Sequence, residues 1–222
     1  MITHALIFAA GRGERMRPLT EHTPKPLLEV GGKRLIEWHL EKLAACGVRD
    51  VVVNTSHLAG QFPAALGDGA RFGLRIAYSF EGSEPLETGG GMLRALPLLG
   101  PGPFLAVNGD VWSDVDLSTL PQNPVGLAHL VMVENPPQHP LGDFVLRDGL
   151  LFDEPVPRLT FAGIGVYRPE LVAGHAPGKF SVVPSLRAAM ATGRVSGQLH
   201  QGRWTDVGTP QRLSDLQRSL AK

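Results

Sequence analysis

The chain has 222 residues, 43% of them apolar, which is enough to bury one full core, so a single domain over 1–222 is expected. Lys plus Arg and Asp plus Glu both number 21, and this balance gives no support to nucleic acid as a partner. A single cysteine, Cys46, excludes an intrachain disulfide and a cysteine-built zinc site, and no apolar run reaches the ~18 residues that span a bilayer, so a soluble cytoplasmic protein is expected.

Ala5 to Ala10 reads as a buried strand, short and apolar on both faces. It feeds AAGRGERMRPLTEHTPKPL, which sets Gly11, Gly13, Arg12, Arg15, Arg17 and Lys25 among three prolines. Glycines let backbone approach a ligand, and the cations suit phosphate oxygens, so this loop is a polyphosphate cradle by composition. After a short extended piece and a Gly31–Gly32 turn, Leu35 to Cys46 has helical spacing and Gly47 reads as its cap. Arg49 to Asn54 is a second buried strand, and His57 to Leu66 a helix whose Pro63 implies a late start or a break.

Leu74 to Phe80 alternates as a strand, PLETGGG reads as a glycine loop opening a helix that ends near Pro101, and Phe104 to Asn108 is a third buried strand. This strand–loop–helix rhythm predicts a three-layer, Rossmann-like α/β fold around a mixed, mostly parallel sheet. The second half is less regular. Strands are expected over Val125 to Val133 and Arg158 to Tyr167, a proline-rich loop over Asn135 to Leu141, and a hairpin turning at Asp148–Gly149. Val182 to Thr192 and Thr209 to Leu220 read as helices, with Val195 to His200 extended between them.

The glycine loop lacks both the Walker A spacing and GxGxxG, which removes support for P-loop kinase chemistry and for dinucleotide binding. Asp110 follows a buried strand at the edge where open α/β sheets hold ligands. Asp206, in WTDVGTP, precedes a helix start at Thr209 and Pro210, and the two carboxylates together suit Mg²⁺ bridged to phosphate. The eight histidines show neither HxxxH nor HExxH; His39 reads as a satisfied, half-buried packing residue, as do Trp38 and Trp112 as packing or pocket-wall residues.

The run AAGRGERMRPLT, TPKPLLEVGGKRLIEWHLEKL, PLETGGG, VNGD and WTDVGTP resembles the sugar-1-phosphate nucleotidyltransferases along nearly the whole chain. The compact length and the ETGGG loop are most similar to uridylyltransferases acting on a cell-wall amino sugar, with mannose-1-phosphate guanylyltransferase-like members next. The resemblance implies UTP and a sugar 1-phosphate as partners, Mg²⁺ as cofactor, and release of pyrophosphate. It implies a nucleotide-binding half over 1–110 and a sugar-binding half over 111–222, and a monomer, since the long C-terminal extension of assembling relatives is missing. By the same resemblance Gly11, Arg12 and Gly13 cradle the phosphates, Arg15 and Lys25 are catalytic, and Glu81 and Gly89 hold the base. Asn108, Gly142 and Glu154 contact the sugar side, and Asp110 and Asp206 hold the metal. Relatives carry Glu-Lys-Pro where this chain has Glu154 directly followed by Pro155. A carboxylate on the sugar would call for a cation, for which Arg147, Arg158, Arg187 and Arg203 all remain open.

Overall fold

The computed structural model describes residues 1–155 and 157–221. The strands and helices fall in the order β1 (His4–Phe8), β2 (Glu29–Val30), β3 (Lys33–Arg34), α1 (Leu35–Ala45), β4 (Asp50–Thr55), α2 (Gln61–Leu66), β5 (Arg75–Phe80), α3 (Glu87–Leu99) and β6 (Phe104–Asn108). The second half adds β7 (Val111–Ser113), β8 (Ala128–Val133), β9 (Val145–Arg147), β10 (Leu150–Phe152), β11 (Thr160–Tyr167), α4 (Val183–Met190), β12 (Val195–Leu199), β13 (Trp204–Asp206) and α5 (Pro210–Leu220).

A nine-stranded sheet runs β5-β4-β1-β6-β11-β8-β12-β10-β9. Its first-half strands β5, β4, β1 and β6 are all parallel, as the strand–helix rhythm requires. The sheet is mixed, as expected: beyond β6, β11 pairs antiparallel with both β6 and β8, and β10 antiparallel with both β12 and β9, while β8–β12 is parallel. The β9–β10 strands are joined by two residues at positive φ, Asp148 and Gly149, a turn that returns the chain alongside itself.

Successive side chains of the central strands sort to opposite faces. Ala5, Ile7, Val51, Val53, Leu105 and Val107 pack with Ile36, Leu40 and Leu43 of α1 and Phe62 and Leu66 of α2. Leu6, Val52, Phe104 and Ala106 pack with Met92, Ala95 and Leu99 of α3 and Leu186, Ala189 and Met190 of α4. A third cluster joins Met16, Leu28, Val30 and Leu35 to Trp112, Val207 and Leu216, so α5 closes against the N-terminal segment. Trp38 and Trp112 meet edge to face there, a packing role. No helix among the described residues is long and apolar enough to cross a membrane.

Two local expectations are corrected. Helix α3 begins at Glu87, so the ETGGG run is its first turn rather than a loop. Packing overrides glycine's poor helix propensity: a Cβ on Gly89 would sit 2.4 Å from the Phe180 ring, on Gly90 2.2 Å from the Gly178 carbonyl oxygen, and on Gly91 2.4 Å from Glu81. His39 is fully buried, not half-buried, and among the described residues its Nε2 has no hydrogen-bond partner. Helix α2 does start late, at Gln61, which leaves Pro63 in the first turn where no intrahelical N–H is needed. Cys46 is partly buried, and burial raises its thiol pKa.

Candidate active site

Strand order reverses between β1 and β6: the chain steps outward from β1 to β4 and β5, then returns to the other side of β1. The loops leaving β1 and β6 therefore diverge, and a crevice opens at the carboxyl ends of the strands. A cavity of about 250 Å³ lies there, lined by Phe8 to Gly11, Gly13, Lys25, Asn54, Glu81, Pro85, Thr88, Asn108 and Asp110 among others. All of its lining residues precede Val111.

The loop after β1 is held by its own turns. Gly13 adopts φ 64°, its carbonyl accepts from Met16 N at 2.8 Å and from Thr20 Oγ1 at 2.8 Å, and a Cβ there would strike Thr20 at 2.9 Å. The short helical turn Lys25–Leu27 carries Lys25 over the crevice, where its Nζ meets Asp110 Oδ2 at 2.8 Å. Gly11, Gly13, Lys25 and Asp110 thus converge as the sequence implies. Arg12 sits at the rim, donating to the Ser83 carbonyl at 3.1 Å, and lines a groove shared with Lys179. Arg15 is exposed on the Glu14–Met16 turn and lies outside the cavity lining.

The cavity floor is a directional chain of hydrogen bonds. Ala9 N donates to Asn54 Oδ1 at 2.6 Å, Asn54 Nδ2 donates to Glu81 Oε1 at 2.5 Å, and Leu86 N donates to Glu81 Oε2 at 2.7 Å. Burial pushes the Glu81 carboxyl pKa up, and these two donors pull it partly back. Glu81 lines the cavity, but both its oxygens are engaged in pinning the loop to the start of α3. Gly89 is buried beneath this surface, turned toward Phe180, and does not line the cavity. Glu87 and Thr88, from the Glu87 to Gly91 stretch that the resemblance assigns to the base, do line it; so does Asn54, absent from the sequence candidates, next to last in an apolar strand.

Asp110 and Asp206 are brought together by a two-stranded sheet that sequence periodicity does not reveal. Strands β7 and β13 pair antiparallel with Asp206 opposite Val111, and Val207 N donates to the Asp110 carbonyl at 2.7 Å. The Asp206 carboxylate accepts from Arg212 and from Gln138, the latter at 2.8 Å. Each carboxylate thus has a cationic partner and further lone pairs, and hard oxygen donors of this kind fit Mg²⁺. No group of three or more metal-binding side chains occurs among the described residues, so such an ion would take its remaining ligands from substrate and water.

A second cavity, of about 260 Å³, shares Phe8, Thr88 and Asn108 with the first. Its own wall includes Gly142, Asp143, Phe144, Arg158, Phe161 and Arg187. Gly142, at φ 62°, is placed where a Cβ would lie 2.7 Å from Asn135 Oδ1, so only glycine lets the wall pass that close. Glu154 is not part of this wall. It is half-buried just after β10 and paired with Arg147 through two bonds of 3.1 and 3.0 Å.

A glycine-rich loop, a half-buried lysine on a carboxylate, and two adjoining cavities thus meet at a strand-order reversal. The sequence signature of the family described as Nucleotidyl transferase matches residues 4–140. The chain belongs to that family. Among curated proteins, the N-acetylmuramate alpha-1-phosphate uridylyltransferase of Neisseria meningitidis serogroup B (strain ATCC BAA-335 / MC58) is 51% identical over 222 residues, 96% of each chain. The enzyme of the same name from Caulobacter vibrioides (strain ATCC 19089 / CIP 103742 / CB 15) is 37% identical, covering 98% of this chain and 97% of its own. A crystal structure described as a glucose-1-phosphate thymidylyltransferase from Bacillus anthracis, in complex with a sucrose, superposes with TM-score 0.86 at 21% identity, covering 98% of this chain and 94% of that one. The last match bears on the fold of this nucleotidyl transferase family member, the first two on its relatives.

Proposed function

We propose that this protein transfers the uridylyl group of UTP to N-acetylmuramate α-1-phosphate, releasing pyrophosphate and forming a UDP-sugar. The observation that carries the reading is the common wall of Phe8, Thr88 and Asn108 between a cavity at the glycine loop and a second, more enclosed one. Two anionic substrates placed on either side of that wall meet near Asn108. The substrate named follows the two relatives that share the full length of the chain.

A phosphate oxygen of the sugar 1-phosphate attacks the α-phosphorus in line, and the bond from that phosphorus to the bridging oxygen breaks as pyrophosphate leaves. The attacking phosphate is already ionised at neutral pH, so no strong general base is needed. The residues of the chain align two anions and absorb their charge. Backbone N–H groups of Gly11 to Gly13 face the triphosphate, with Arg12 at the rim. Lys25, already within 2.8 Å of Asp110, is positioned to follow the charge that develops on the leaving pyrophosphate. Arg15, exposed on its turn outside the cavity lining, keeps the catalytic role that the resemblance gives it as part of this proposal. Asn108 and Gly142 hold the sugar side. Asp110 and Asp206 would hold Mg²⁺, which would supply charge neutralisation for the two anionic substrates.

The test is Mg²⁺-dependent pyrophosphate release in Asp110→Ala and Asp206→Ala. Each is expected to lose ~10²-fold or more in kcat. Near-normal turnover in both variants removes the metal assignment.

A further inference from the structure

Four arginines are open by sequence as partners for a carboxylate on the sugar, and the structure separates them. Arg147 is spent on Glu154 and stacks over Phe152, outside both cavities. Arg203 donates to Ser219 and lies over Trp112, in a different groove. Arg158 and Arg187 alone among the four line the second cavity.

These two come from different elements and converge on one carboxylate. Arg158, just before β11, places Nη2 3.2 Å from Asp153 Oδ1, and Arg187, on α4, places Nε 3.1 Å from Asp153 Oδ2. Arg158 Nε also donates to the Glu154 carbonyl, at 2.5 Å. Asp153 thus holds both guanidiniums near it, Arg158 by a hydrogen bond and Arg187 by an ion pair. Among the described residues, Nη1 of Arg158 and both terminal nitrogens of Arg187 have no hydrogen-bond partner. The other charged group of the wall, Asp143, is occupied: it accepts from Phe161 N at 2.8 Å and faces His139 Nε2 at 3.1 Å. The rest of the wall is largely apolar, with Met92, Phe144, Phe161 and Leu186. Pre-fixed guanidinium donors at the side of an apolar pocket are suited to a planar carboxylate.

We propose that Arg158 and Arg187 form the specificity clamp for the carboxylate of the sugar's lactyl ether, with Asp153 as their positioning residue. This rests on the substrate reading above. The clamp selects an acidic N-acetyl sugar over its neutral counterpart, because N-acetylglucosamine 1-phosphate carries the same phosphate and ring but no carboxylate.

The experiment measures kcat/KM with UTP for N-acetylmuramate 1-phosphate and for N-acetylglucosamine 1-phosphate, in wild type, Arg158→Gln, Arg187→Gln and Arg187→Lys. The readout is the ratio of the two values, which is independent of the fraction of folded enzyme. The wild type is expected to favour the acidic sugar, with the ratio falling about ten-fold or more in each Gln variant and partly retained in Arg187→Lys. Arg187 is half-exposed on its helix, so its variants keep the test open if Arg158→Gln does not fold. A ratio unchanged in both Gln variants overturns the clamp; equal losses on both sugars do so as well and assign the arginines to the shared phosphate. A wild type that uses both sugars without preference also overturns the clamp while leaving uridylyl transfer intact. No turnover of either sugar by the wild type refutes the parent reading instead.

Discussion

Asn54→Asp is the sharpest probe of the cavity floor, because it changes one atom and no volume. Asn54 Oδ1 accepts from Ala9 N while Nδ2 donates to Glu81 Oε1 at 2.5 Å, and Leu86 N occupies the other Glu81 oxygen. Both ends of the chain are backbone donors, so the amide cannot flip without setting Nδ2 against Ala9 N–H. An aspartate keeps the first bond and faces Glu81 with a carboxylate oxygen. Two unit charges about 4 Å apart at an effective dielectric of 20 repel by about 4 kcal/mol. The alternative is for the pair to share a proton, which from an unfolded carboxyl pKa near 4 up to pH 7 costs a similar ~4 kcal/mol. Since the lesser route prevails and relaxation trims it, a loss of roughly 3 kcal/mol at pH 7 is expected. The folded pair then binds more protons than the unfolded chain, so the deficit grows with pH. It should shrink by up to ~1.4 kcal/mol per unit on acidification toward pH 4.5. Urea denaturation of wild type and variant at several pH values measures both quantities. A variant within ~0.5 kcal/mol of wild type at pH 7, or a difference that is flat between pH 5 and 7, refutes the reasoning.

Gly90→Ala would ordinarily stabilise a helix by about 1 kcal/mol, yet its Cβ would lie 2.2 Å from the Gly178 carbonyl oxygen, and backbone cannot step aside as a side-chain tip can. We expect a net loss of ~1–3 kcal/mol in denaturant melts, and a gain would contradict the packing of α3 against residues 178–180. His39 is fully buried, and desolvation lowers its pKa to about 4, with Lys42 lowering it further and Val111 and Asp110 opposing. Its folded pKa lies below the unfolded value, so the neutral form contributes stability above pH 6.5 that is lost as pH falls toward 4. Relative to His39→Gln, wild type should lose up to ~3 kcal/mol across that window, read from denaturant melts, and a parallel pH profile in the two proteins would contradict it.

The first half of the fold is legible because each strand is short, apolar and ended by a polar or glycine residue, with an amphipathic helix between. Periodicity then suffices for β1, α1, β4 and β6. The pairing of β7 with β13 is not legible: each strand has three residues, their partners lie some ninety positions apart, and nothing local announces the match. That pairing is what sets Asp206 beside Asp110, a neighbourhood that the sequence reading assumes from two aspartates at loop starts without any local signal for it. Glycine propensity misplaced the start of α3, where tertiary crowding requires glycine inside a helix. At Glu154, a position matched to the motif in sequence, the side chain pairs with Arg147 of β9, a partner that the motif does not announce. Lys25 and Asp110 were legible together because both follow buried strands at the same sheet edge.

Uridylyl transfer itself is tested most directly by pyrophosphate release from a matrix of four nucleoside triphosphates against muramate, glucosamine, mannose and glucose 1-phosphates, the first two N-acetylated. The account predicts that UTP with N-acetylmuramate 1-phosphate gives the highest kcat/KM. GTP with mannose 1-phosphate as the preferred pair, or no release with any combination, would contradict it.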